Sequence, residues 1–178
     1  MQNLLLELLK KLTALYNAYA KLLEKQQIEM KTNNELIYEI AQAWIGKDAS
    51  PRDVAPDEYS CMESVDEIVY RATGRYINGT ANRVEISTYR GYQFLKNSEF
   101  FRQVWEPKTG TIIICPTGYA KATSKIKNGH IGVCDGKGGI MSVNSYKPGG
   151  KFELNYTIES WKNRWEKDGY LLAYFDHV

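Results

Sequence analysis

An α+β domain preceded by a long amphipathic helix is the fold class that this 178-residue sequence predicts. Three observations predict it. The first hundred residues carry apolar positions at helical spacing. After Thr109 the period changes to short apolar runs bounded by glycine and proline, the mark of strands. Two of those runs, "GHIGVC" and "GIMSVNS", flank the turn "DGKGG", which reads as a hairpin. Helices first and an antiparallel sheet afterwards, interrupted by one helix, is an α+β order. At 43% hydrophobic and 25% charged residues the chain supports one proper core, with no internal repeat.

The elements follow in order. In the first segment Leu5, Leu8, Leu12, Leu15, Tyr19 and Leu22 alternate spacings of three and four, the a/d rhythm of a helical seam, widened by Leu4, Leu9 and Leu23. That helix either docks on its own domain or pairs with another helix, as an oligomerisation or docking element; its polar face is not basic enough to favour a membrane surface. Residues 1–30 are therefore set apart as an amphipathic helical segment and residues 35–178 as the folded domain. A second helix is expected from Glu35 to Ile45, closed by Gly46. A loop punctuated by Pro51 and Pro56 follows, then a helix beginning at or beside Cys61 and ending at Gly74. "TYRGYQFLKNSEFFRQV" reads as a helix broken near Asn97-Ser98. "GTIIICP", "GHIGVC" and "GIMSVNS" are strands, "NYTIESWKNRWEK" is a helix capped by Thr157, and "GYLLAYFD" is a final strand.

Composition narrows the function classes. A net charge of +2 gives no reason to expect nucleic acid, yet does not repel an anionic polymer such as a cell wall. Cys61, Cys115 and Cys134 are too few for a disulfide framework, and without a C-x-x-C pair no metal site or cofactor is expected. The N-terminus lacks the basic n-region of a signal peptide, and Glu7, Lys10 and Lys11 break any transmembrane run. The expectation is a protein made in the cytoplasm that reaches its target after release or as part of a virion.

One helix start and one strand carry the chemistry. A thiol at a helix N-terminus faces unpaired N–H groups and the positive end of the helix dipole, which favour thiolate, so Cys61 sits where a nucleophile is activated. The base for it has to come from elsewhere, and His130 is the only histidine outside the terminal residues. If the hairpin turns symmetrically about Lys137, His130 lies across from Asn144 and the two share a face; a shift of one residue puts Ser145 there instead. Cys134 has the same strand parity as His130. Tyr59, two residues before the cysteine, is placed to contact substrate or to pack its loop.

This Cys, His, Asn order resembles the papain-like cell-wall hydrolases of the NlpC/P60 and CHAP families. The resemblance runs from about Glu35 to the C-terminus, through "APDEYSCMESV", "NGHIGV" and "GIMSVNS". It departs from the family pattern at Ser60, in the absence of a glycine-rich lead-in, and in the lack of a glutamate after the histidine strand. The resemblance implies Cys61 as nucleophile, His130 as base, Asn144 as the orienting group, and peptidoglycan peptide or amide bonds as substrate. A cysteine endopeptidase or amidase of phage-endolysin type is one expectation; another is a non-catalytic wall- or protein-binding module on the same fold, assembled through the N-terminal helix. Protein deamidation or proteolysis keeps the same chemistry on a different substrate.

Overall fold

A computed structural model of the chain describes residues 2–29, 31–119, 128–144 and 150–178. It divides into two compact units, Met1–Thr32 and Asn33–Val178. In the first, α1 (Gln2–Glu29) is one continuous helix. Its Leu9, Leu12, Leu15, Tyr16 and Tyr19 are exposed, while the side chains of Leu5, Leu8 and Leu22 lie outside the described residues. Among the described residues no helix is long and apolar enough to cross a membrane.

The second unit is α+β, as the sequence predicts, with helices ahead of an antiparallel sheet. Helices α2 (Asn33–Trp44), α3 (Cys61–Thr73) and α4 (Thr88–Asn97) precede a six-stranded sheet interrupted by a short α5 (Ile158–Trp161). The strands are β1 (Phe101–Val104), β2 (Thr109–Cys115), β3 (His130–Asp135), β4 (Gly139–Val143), β5 (Phe152–Thr157) and β6 (Ala173–His177). They lie side by side as β1-β6-β2-β3-β4-β5, every neighbour antiparallel.

Strand alternation divides the core between the two faces of the sheet. Ile112, Ile114, Ile131, Val133, Met141 and Val143 pack with Ile37, Ala41 and Trp44 of α2 and with Cys61, Met62, Val65 and Ile68 of α3. On the other face Ile113, Cys115, Cys134 and Ile140 pack with Trp161, Trp165, Tyr170 and Tyr174. Behind its apolar stripe α3 buries three carboxylates, and each one anchors a neighbouring segment. Glu63 accepts from Ser50 Oγ (2.9 Å) and from the amides of Arg52 (2.7 Å) and Ala55 (3.0 Å). Asp66 accepts from the amides of Ile77 (2.6 Å) and Glu85 (2.5 Å). Glu67 is paired with Arg52 and Arg71. Buried carboxylates persist because their lone pairs are filled, and these fix the loops that lead into and out of the cysteine helix.

The structure departs from the sequence expectation at two places, and both are sheet edges. The helix read through "TYRGYQFLKNSEFFRQV" ends at Asn97, and Phe101–Val104 is the edge strand β1. Asn155 to Thr157 belongs to the opposite edge strand β5, so the following helix begins at Ile158 and runs into a π-turn at Lys162–Glu166. Thr157 is the cap expected, with a reciprocal pair of bonds to Ser160.

Candidate functional site

Cys61 is the first residue of α3, and Gly74 closes that helix in the left-handed conformation. Ser60 at the N-cap spends its hydroxyl on the Asp57 carbonyl (2.7 Å), so the helix start has no side-chain cap. The amides of Cys61 and Met62, and that of Ile131 on β3, face the sulfur. The sulfur thus meets the sheet one residue beyond His130. The helix start does not produce the activated thiol that the sequence suggested. Burial raises the Cys61 pKa to about 11, and the three backbone amides only partly offset it. At that pKa the thiolate fraction at pH 7 is about a hundredfold below that of an unperturbed thiol, so iodoacetamide should label folded protein at least that slowly and the urea-unfolded chain at the ordinary rate. Mass-mapped labelling of the cysteines, all free and buried, checks it; fast labelling of Cys61 in the folded state contradicts it.

His130 opens β3 immediately after Gly129. That glycine is required by close approach: a Cβ there would stand 2.1 Å from the Cys115 carbonyl oxygen and 2.4 Å from the Thr117 nitrogen. The Gly129 amide donates to Thr117 Oγ1 (2.8 Å), which in turn meets Thr88 Oγ1 (2.9 Å), tying the start of β3 to α4. The imidazole is buried rather than held at a rim. Its ring centroid lies 5.2 Å from Trp161 and 5.1 Å from Trp165, themselves 4.5 Å apart, with the Tyr156 ring edge-on at 5.9 Å. Desolvation first, and then the Arg164 charge, lower the His130 pKa to about 3, against a small opposing contribution from the Val143 carbonyl. Thiol and imidazole therefore both rest neutral.

The hairpin register is symmetric about Lys137, with Gly132 opposite Ser142 and Val133 opposite Met141. Extended by two pairs beyond the recorded ladder, that register would set Asn144 across from His130; the alternative partner, Ser145, lies outside the described residues. The hydrogen bond nevertheless goes elsewhere. Imidazole Nε2 lies 3.2 Å from Ser142 Oγ, which donates to Asn155 Oδ1 (2.8 Å). Asn144 Nδ2 donates to Glu153 (2.8 Å). Tyr59 is exposed, in the turn Asp57–Tyr59 ahead of the cysteine.

The structure thus brings Cys61 and His130 to neighbouring backbone positions but presents them to different surroundings. Cys61 belongs to the core under α2 and α3, while the His130 ring lies among the aromatics of the other face, and no hydrogen bond joins the two. Tyr156 links the two environments. Its ring meets the imidazole, and its hydroxyl is raised above the usual phenol range by burial and then by the nearby Cys61 sulfur. Ser142, Asn155, Tyr156, Trp161 and Trp165 are site residues that motif reading does not select. Parity alone could have found Ser142, which shares its face with His130 in the symmetric register. Among the described residues no three His, Cys, Asp or Glu side chains gather as metal ligands.

No protein-family model matches the chain, and no curated protein matches it. Among solved structures, the type VI native effector-immunity complex Tae3-Tai3 from Ralstonia pickettii is similar at 15% identity and a TM-score of 0.44, covering 82% of this chain and 98% of that chain. Neither fold family nor chemistry follows from a match of that extent.

Proposed function

We propose that the chain is a papain-like cysteine hydrolase acting on the peptide part of bacterial peptidoglycan, as endopeptidase or amidase, in the manner of a phage endolysin. One observation carries the reading: Cys61 opens α3 with three backbone N–H groups turned to its sulfur, at the residue following His130. Amides in that position would stabilise negative charge, on sulfur before attack and on the carbonyl oxygen after it.

In this reading Cys61 gives its proton to His130 and the sulfur attacks the carbonyl carbon. The S–C bond forms, the imidazolium protonates the leaving nitrogen, and the C–N bond breaks. Water, deprotonated by His130, then attacks the thioester, releasing the carboxylic acid and restoring the thiol. Pathway and resting geometry differ in one respect. With the thiol near 11 and the imidazole near 3, proton transfer between them is uphill by roughly 11 kcal/mol. Turnover on this pathway needs the imidazole turned to the sulfur and the pair rehydrated or engaged by substrate.

The same burial favours a second reading, a non-catalytic wall- or protein-binding module that keeps Cys61 and His130 as core residues. Turbidity of purified peptidoglycan, with fragments read by mass spectrometry, separates the two. On the hydrolase reading wild type clears the wall, and folded Cys61→Ala and His130→Ala variants are slower by about a thousandfold or more, with fragment masses naming the bond. Equal behaviour of all three proteins rejects catalysis on this substrate and leaves the binding module.

A further inference from the structure

We infer that Ser142, held by Asn155, is the positioning residue that sets the His130 tautomer and leaves Nδ1 as the basic nitrogen. The inference rests on the hydrolase reading for its purpose but on geometry for its content. A serine hydroxyl has one proton. Here it is committed to Asn155 Oδ1 at 2.8 Å, so toward the imidazole Ser142 Oγ can only accept. Its partner, Nε2 at 3.2 Å, must then carry the ring proton. A neutral imidazole has only one N–H, so Nδ1 holds the lone pair.

The direction of this relay suits a base. Nδ1 is the ring nitrogen nearer the backbone, and the Cys61 sulfur meets the amide of Ile131, the adjacent residue on the same strand. Burial keeps the ring neutral across the physiological range, so the tautomer rather than the charge decides which nitrogen can take a proton. Asn155 lies on the edge strand β5, where its side chain is half-buried, so it can be changed without opening the core. The Arg164 charge and the Val143 carbonyl also act on the ring, in opposite directions.

Long-range nitrogen-15 correlation spectra of histidine-labelled protein read the tautomer directly. Wild type should show the Nε2–H form. Ser142→Ala should raise the Nδ1–H population roughly tenfold, the equivalent of one lost hydrogen bond, and Ser142→Thr, which keeps the hydroxyl, should restore the wild-type spectrum. Asn155→Leu, which frees the serine proton, should shift the balance in the same direction as Ser142→Ala and covers the case in which that variant does not fold. Asn144→Ala should leave the tautomer unchanged.

A wild-type Nδ1–H form overturns the assignment, as does a Ser142→Ala spectrum identical to wild type, or an Asn144→Ala spectrum that shifts equally. The readout does not depend on turnover. A protein inert on peptidoglycan that shows the Nε2–H form overturns the hydrolase reading while supporting the Ser142 assignment; an active protein with the Nδ1–H form overturns the assignment alone.

Discussion

The Asp66→Asn variant should lose stability steadily as pH falls from about 6.5 to about 3, and the His130→Gln variant should lose it as pH rises from about 4 to about 7. The signs follow from where each proton goes. His130 in the folded state titrates near 3, against 6.5 unfolded, so between those values only the unfolded chain takes up the proton and acidification favours unfolding. Asp66 is the opposite case. Its desolvated carboxyl is raised to about 7 from 3.8, so across that interval the folded chain keeps a proton the unfolded chain has released, and raising the pH favours unfolding.

Each contribution amounts to roughly 4 to 5 kcal/mol at 1.36 kcal/mol per pKa unit. Between pH 4 and 6.5 the two oppose, so wild type should be nearly flat there and each variant should expose the slope of the residue it keeps. Urea unfolding at half-unit pH intervals, taken as differences from wild type so that the other carboxylates cancel, measures both slopes. Parallel curves for the His130→Gln variant and wild type would mean that the imidazole is solvated.

The pH argument turns on burial, and burial is what the sequence expresses least directly. Helix α3 was legible to within a residue, because a loop punctuated by two prolines leads to Cys61 and Gly74 takes the left-handed cap. The register of β3 against β4 was legible because "DGKGG" admits a turn symmetric about Lys137. The two edge strands were not. Phe101–Val104 has one buried side chain and Phe152–Thr157 has one, so neither displays the alternation that signals a strand, and each adjoins a strongly helical stretch.

The site was half legible for a related reason. Cys61 and His130 could be chosen by residue type, and Asn144 by pairing, because these are local properties of a helix start and a hairpin. Which neighbour the imidazole bonds depends on the side-chain direction of Ser142 and on Asn155, which arrives from a strand the sequence does not announce. The thiol's charge state was inferred from the helix dipole, a favourable contribution that is present. Desolvation opposes it and is larger, and desolvation depends on how closely the domain covers the sulfur.

Trp161→Ala should be the most destabilising single truncation on the aromatic face, by about 3 to 5 kcal/mol. Trp161 is fully buried and lies 4.5 Å from Trp165, 5.4 Å from Tyr156 and 5.2 Å from His130, centroid to centroid. Its indole N–H points at Cys115 Sγ, 3.2 Å away. Alanine leaves a cavity that polar neighbours can hydrate, since the ring nitrogens of His130 and the Ser142 hydroxyl line the same side of the sheet. Trp105→Ala is the matched control: that ring is 89% exposed, and its removal should stay within about 0.5 kcal/mol. Water beside His130 has a second consequence. It should bring the imidazole pKa up from about 3 toward 6.5, narrowing the gap that separates the resting pair from a thiolate–imidazolium pair. Denaturant unfolding and an imidazole NMR titration on the same variant therefore test one physical claim twice. Aromatic packing that stabilises the fold is also what holds the histidine neutral. A loss of stability below about 1 kcal/mol, or an unmoved imidazole pKa in a folded variant, would separate the two effects and locate the cause of neutrality elsewhere.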